Sequence, residues 1–372
     1  EARASGRVLL FLDEIQGSPP AIKYLRYFRE EMPELHVVAA GSLLEAVIAK
    51  ENVSFPVGRV QHMYLHPLSF AEYLRALGDD PSLDALNTLP FPDYALPHLL
   101  RQFHRYTLVG GMPEVVARYA QTQEPTSLGS IYSSLLTSYL DDVSKYARNP
   151  TMELVLRHAI EAAPFEAGNR IKFAGFGKSN YRSREMGEAL RTLERSMLLC
   201  LLFPSTSTEV PPLADLRKSP RLQFLDTGLL NYAVGLQSDF FAFDDLHSFY
   251  RGRLAEHIVG QELQCQDPDI KYKPLFWVRE KRQSKAEVDF IVQHRGLVIP
   301  VEVKAGKTGK LRSLHQFMNR CDHHFAVRLH AGPLARQQVA TPEGKKFILL
   351  DLPYFLGCQL HHYLEWLMEP TS

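Results

Sequence analysis

Asp289, Glu302 and Lys304 are the residues whose types and spacing most clearly suggest chemistry. Asp289 falls early in the apolar run 286–292, and Glu302 and Lys304 fall late in the run 297–304, with a turn at His294-Arg295-Gly296 between them. Such a pattern predicts a hairpin, which brings all three residues to one edge. Because side chains alternate along a strand, Glu302 and Lys304 face the same side. Two carboxylates and a lysine at one point are the parts of a Mg²⁺-dependent phosphodiesterase. The acids hold the metal, and the lysine positions or activates water and neutralises charge building up on phosphate. The alternative is a set of ordinary strand-end charges. An apolar strand broken by Glu and Lys on one face, opposite an acid on its partner, weighs against that.

A second pair of acids closes the run Val8-Leu9-Leu10-Phe11-Leu12 as Asp13-Glu14. An unbroken apolar run describes a buried parallel strand whose end opens onto a site. This is the Walker B arrangement of P-loop nucleotide hydrolases, in which Asp13 holds Mg²⁺ through water and Glu14 orients or deprotonates the attacking water. Such a site also needs a glycine-rich phosphate loop ending in Lys-Ser or Lys-Thr. None lies in residues 1–7, and Gly175-Phe176-Gly177-Lys178-Ser179 has Phe173 where the first glycine belongs and follows no apolar strand. The chain therefore reads as the latter part of an ATPase whose phosphate-binding half is missing.

The elements that must position these residues follow from composition and pattern. A chain of 372 residues with 45% hydrophobic content can bury more than one core. Lys plus Arg and Asp plus Glu stand at 42 each, so no global field draws in nucleic acid or an anionic membrane. Any nucleic-acid site is a local patch. Cys200, Cys265, Cys321 and Cys358 are scattered without zinc spacing and read as reduced thiols of a cytoplasmic protein. Apolar runs such as 197–203 are too short to span a bilayer, and the N terminus lacks the apolar core of a signal peptide.

After Ser18-Pro19-Pro20, Ile22, Leu25 and Phe28 mark a helical face over 21–31, and residues 36–42 form a short strand ending at Ser42. In P-loop proteins a Ser there can hydrogen-bond the attacking water or γ-phosphate. Residues 78–97 read as a surface excursion rich in Asp and Pro, followed by a helix over 99–106. Gly110-Gly111 reads as a tight turn before a helix opened by Pro113. In the middle, helices over 152–163 and 183–199 precede strands at 198–204 and 222–225, which is the order of a winged helix. Arg182, Arg184, Arg191 and Arg195 on its second helix supply charge for phosphates, although Glu185, Glu188 and Glu194 reduce it. Winged helices also serve as lids or interdomain packing. Residues 252–264 form an amphipathic helix containing Glu256.

Residues 9–16, Ala40-Gly41-Ser42-Leu43-Leu44, Ser54 to Val60 and Pro67-Leu68-Ser69-Phe70-Ala71-Glu72-Tyr73-Leu74, with Gly110-Gly111-Met112-Pro113, resemble AAA-type ATPases of bacteria and archaea that carry a C-terminal nuclease-like domain of unknown function. The resemblance implies a charge-sensing or arginine-finger role for Arg59, which otherwise reads as a surface arginine. It also implies a restriction-endonuclease-like fold around Asp289, Glu302 and Lys304, with Glu256 as the helical acid and Gln316 as a supporting polar residue. The implied architecture is α/β. Residues 1–75 are a partial P-loop AAA-type core, 76–140 a helical lid or linker, 141–235 a winged-helix-like middle, and 236–372 a restriction-endonuclease-like domain. The implied cofactors are ATP, through Asp13, Ser42 and Arg59, and Mg²⁺, through Asp13, Glu256, Asp289 and Glu302, with Glu14 and Lys304 catalytic. Without a phosphate loop, ATP binding by this chain is expected to be weak or absent. DNA is the candidate macromolecular partner, and the oligomeric state stays open. Two functions fit: an ATPase coupled to a nuclease-like domain that acts on or binds nucleic acid, and a non-catalytic interaction module built on vestigial ATPase and nuclease-like folds.

Overall fold

A computed structural model describes residues 8–41, 58–236, 253–266, 273–279, 286–304 and 311–369. Strand β1 (Leu9–Leu12) pairs in parallel with β2 (His36–Ala39), and helix α1 (Pro19–Glu31) connects them. Ser18 precedes the helix and Pro19 and Pro20 open it, where the missing amide hydrogens cost nothing. Ile22 and Leu25 of α1 are buried with Ile15 against Leu12, Val37 and Ala39, forming a small core of their own. The opposite face of the strands is bare, with Leu9 62% and Phe11 56% exposed.

Helices then follow from α2 (Phe70–Ala76) through α3 (Asp80–Asn87), α4 (Leu96–Val109), α5 (Pro113–Thr122), α6 (Gly129–Tyr146) and α7 (Pro150–Glu166) to α8 (Ser183–Arg195). The surface excursion expected over 78–97 is corrected by α3. Asp79 caps its first turn through the Ser82 amide, Pro81 sits in that turn, and Leu83 and Leu86 are buried. The Asp and Pro that suggested a loop are helix-start residues. The turn at Gly110-Gly111 is as expected, with Gly110 at φ +76°. Gly111 lies so close to the chain that an added Cβ would sit 2.2 Å from the Leu68 carbonyl oxygen.

After α8, strands β3 (Leu199–Leu202) and β5 (Arg221–Phe224) form an antiparallel ribbon. Between them, β4 (Pro204–Ser205) instead joins the large sheet, and α9 (Thr227–Ala233) follows β5. Helix α10 (Arg253–Gln264) leads to β6 (Leu275–Val278), β7 (Glu287–His294), β8 (Leu297–Val303), α11 (Arg312–Met318), β9 (Phe325–His330), β10 (Ala335–Ala340), β11 (Lys346–Pro353) and α12 (Leu360–Met368). The mixed sheet has seven strands in the order β10-β11-β9-β8-β7-β6-β4. One buried cluster runs from Phe70 in α2 to Leu367 in α12, so the helical, middle and C-terminal segments share a core. Among the described residues, no helix is long and apolar enough to cross a membrane.

Polar groups on α10 and the Asp226 cap of α9 tie this core together. Glu262 accepts hydrogen bonds from the Phe70 amide at 3.0 Å and the Tyr106 hydroxyl at 2.7 Å. Asp226 accepts from the Gly111 amide at 2.6 Å and the Leu229 amide at 2.9 Å, and the Gln261 side-chain oxygen Oε1 accepts from the Thr227 amide at 3.1 Å. Buried polar groups cost little only when paired in this way.

Candidate functional site

The β7–β8 hairpin is closed by Arg295 (φ +46°) and Gly296 (φ +74°). Both central residues of a two-residue type I′ turn lie in the left-handed region, which suits the twist of the flanking strands. The turn fixes the pairing of His294 with Leu297 and of Phe290 with Val301. One step further along that register, Asp289 stands beside Glu302. The Asp289 carboxylate accepts a hydrogen bond from the Val303 amide at 2.8 Å. Lys304 Nζ donates to Glu302 Oε1 at 2.5 Å, while Glu302 Oε2 is buried without a hydrogen-bond partner among the described residues. Strand β8 lies inside the sheet between β7 and β9, and the Lys304 amide extends its pairing to the Leu329 carbonyl at 2.8 Å.

Glu256 reaches this corner from the first turn of α10, whose Ile258, Val259 and Leu263 are buried in the core. The acids sit close enough to oppose one another's ionisation. Burial, reinforced by the charge of Asp289, pushes the carboxyl groups of Glu256 and of Glu302 up to about 8. Burial also raises Asp289, against the pull of Arg221. Burial draws the Lys304 ammonium down, but Glu302, with Asp289 and Glu256, more than offsets this and holds it above the usual lysine range. Groups that disfavour each other's charged forms in this way concentrate at functional sites.

Sequence reasoning missed Arg221. It opens β5 in the middle segment, is only 4% exposed, and enters the acid cluster from the side. Its guanidinium donates to the Asp289 carbonyl at 3.1 Å, contacts Glu287, and lies 3.8 Å from Glu256 Oε2. The ring of Phe276 faces it at 4.7 Å and that of Phe290 at 5.9 Å. Arg170 backs Glu287 at 3.6 Å from the outer side. The arginine at the start of the 222–225 run was the only available signal, and one sequence does not reveal which strand it meets. Gln316, expected to support the site, is half-buried on α11, and its carbonyl oxygen accepts from Arg320.

Asp13 and Glu14 follow β1 directly and are exposed, and the Glu14 amide donates to Asp13 Oδ1 at 3.0 Å. Glu14 lies at φ +50° with its carboxylate contacted by Gln16, and the Ile15 amide donates to the Ala40 carbonyl at 3.0 Å across the strand ends. Arg59 pairs with Glu30 of α1. Ser42 lies outside the described residues. Asp13 thus belongs to the β1 end, whereas Glu256, Asp289, Glu302 and Lys304 gather at the β7–β8 corner. Among the described residues, no three His, Cys, Asp or Glu side chains are already arranged to hold a metal ion.

On α8, Arg182, which precedes the first turn, and Arg184, Arg191 and Arg195 are exposed, as are Lys172 and Lys178 in the connection before it. Arg191 lies over the Phe173 ring at 5.8 Å, and Glu188 of α8 pairs outward with Arg148 at 3.2 Å. Met186, Ala189, Leu190 and Leu193 turn the other face into the core.

Three family models match successive parts of the chain. Residues 1–74 match an AAA domain, residues 100–239 a domain of unknown function (DUF8612), and residues 251–349 another domain of unknown function (DUF4143). The AAA match covers both acids of the β1 end. No curated protein matches the chain. Among solved structures, the chain is similar to a Walker-type ATPase of Pyrococcus abyssi at 13% identity and a TM-score of 0.38, over 61% of this chain and 63% of that one. The chain therefore spans less than two thirds of that structure, a likeness too slight to fix the fold.

Proposed function

We propose that Glu256, Asp289, Glu302 and Lys304 form a divalent-metal-dependent phosphodiesterase site of restriction-endonuclease-like type, acting on nucleic acid and coupled to an AAA-type ATPase segment. The observation that carries this reading is Glu302 Oε2, a buried carboxylate oxygen that has no hydrogen-bond partner among the described residues and lies in a cluster of acids that oppose one another's charge. An orphaned buried oxygen is costly unless something completes it. An all-oxygen donor set fits a hard cation such as Mg²⁺ or Mn²⁺, which Glu256, Asp289 and Glu302 would hold. When bound, such an ion polarises phosphate and lowers the pKa of water. Lys304 supplies a positive charge at the Glu302 carboxylate, placed to orient a water and to offset charge developing on a phosphate oxygen. The Asp289–Val303 hydrogen bond holds the acid of β7 against β8, so the hairpin cannot splay.

Within the same reading, residues 1–75 form part of an ATPase core in which Asp13, Glu14, Ser42 and Arg59 would serve nucleotide and Mg²⁺. Residues 76–140 are a helical lid, residues 141–235 a winged-helix-like unit, and residues 236–372 the nuclease-like domain. The exposed arginines at α8 give DNA phosphates a place to bind. A second reading, a non-catalytic interaction module, is favoured by one observation: Lys304 already occupies Glu302 Oε1.

The two part in a cleavage assay on single- and double-stranded DNA and RNA with Mg²⁺ or Mn²⁺. Metal-dependent cleavage by the wild type that is lost in Asp289→Ala supports the nuclease. Absence of cleavage on every substrate, by protein that is folded and binds the metal, leaves the interaction module.

A further inference from the structure

We infer that Arg221 is a positioning residue of the acid site: it sets the Glu256 carboxylate and the Asp289 backbone in place, so the middle segment completes a site whose acids all lie outside it. This rests on the metal-site reading above. A guanidinium carries donors in a fixed planar fork, and Arg221 spends them in different directions: toward the Asp289 carbonyl at 3.1 Å, toward Glu287, and toward Glu256 Oε2 at 3.8 Å. The guanidinium is also packed between aromatic rings, its central carbon lying over Phe276 at 4.7 Å and over Phe290 at 5.9 Å. At 4% exposure Arg221 is too deep to meet a substrate phosphate. It acts through its neighbours.

The anchoring continues outward. Glu287 lies between Arg221 on the inner side and Arg170 at 3.6 Å on the outer side, and Arg170 and Arg221 are themselves paired across an isolated antiparallel bridge. Arg170, Glu287 and Arg221 thus form a line of alternating charge that ends at Glu256. The two arginines come from the middle segment and the two acids from α10 and β7. A lysine at 221 would keep the charge and lose the fork. For residues that orient metal ligands, removal of the orienting contact typically weakens metal affinity about 10- to 100-fold.

The test is Mn²⁺ titration of the full chain, followed by the electron-paramagnetic signal of the free ion, for wild type, Asp289→Ala, Arg221→Lys and Glu287→Gln, with circular dichroism to establish folding. A purely structural role lowers the melting temperature but leaves affinity per folded molecule unchanged. A positioning role weakens Mn²⁺ binding about 10- to 100-fold in folded Arg221→Lys. Should Arg221→Lys fail to fold, Glu287→Gln carries the test, because it removes the charge that anchors the fork and keeps the side chain's shape. It is expected to weaken binding severalfold. Wild-type affinity in whichever of these variants folds overturns the inference alone. A wild type that binds no Mn²⁺ sinks the metal-site reading and this inference with it.

Discussion

Lys304 Nζ lies 2.5 Å from Glu302 Oε1, two residues back along the chain, while the other oxygen of that carboxylate is buried without a donor among the described residues. One oxygen is paired with the ammonium and the other has no hydrogen bond among the described residues. Lys304→Met separates the two roles. Metal binding is expected to persist, because the acids remain and a competing cation is gone. Cleavage is expected to fall about 10²- to 10⁴-fold, the usual contribution of a positioned acid–base group. Calorimetry and single-turnover cleavage on the same preparation check both halves.

Glu262 makes stability depend on pH. Burial pushes its carboxyl up to about 7, against the pull of the Tyr106 hydroxyl and the Phe70 amide. The folded state thus holds this proton more tightly than the unfolded chain. Its stabilising contribution is fully present below the ordinary glutamate value of 4.5 and is lost as pH rises through about 7. The span corresponds to roughly 3 kcal/mol at most. Urea midpoints are expected to fall between pH 5 and pH 8 in the wild type, and Glu262→Gln is expected to remove only its own part of that fall, because Glu256 and Glu302, pushed up to about 8, carry the rest.

Gly111→Ala tests the joint between the helical segment and the chain before α2. An added Cβ would meet the Leu68 carbonyl oxygen at 2.2 Å, and that backbone is also fixed by the Leu68 amide donating to the Gly111 carbonyl at 2.7 Å. The expected loss is about 1–3 kcal/mol or more, as for overpacked cores. Equilibrium unfolding in urea measures it.

The double variant Arg182→Glu with Arg184→Glu tests the surface at α8. Both side chains are exposed and lie away from the buried face of the helix. If this surface takes DNA phosphates, duplex affinity falls and the slope of log affinity against log salt concentration drops by about 2. An unchanged slope assigns α8 to packing.

Much of the β7–β8 hairpin could be read from sequence because its cues are local: two apolar runs, a turn with Gly296, and acids at fixed positions in the strands. Glu256 could be placed on its helix for the same reason. Arg221 could not, since its partners Glu287 and Asp289 lie 66 and 68 residues away and only the folded sheet brings them together. Helix α3 was hidden because Asp79 and Pro81 signal both a loop and a helix start. The buried polar residues of α10 were hidden too. Gln261 and Glu262 interrupt the apolar pattern, and their partners Thr227, Tyr106 and Phe70 are far away in sequence.

The central claim is that Glu256, Asp289 and Glu302 hold a divalent cation, and its most direct measurement is calorimetric titration of the full chain and of Asp289→Ala with Mg²⁺ and Mn²⁺. The account predicts saturable binding at one site in the wild type and its loss in the variant, with both proteins folded. Absence of binding in the wild type, or equal binding in the variant, contradicts it.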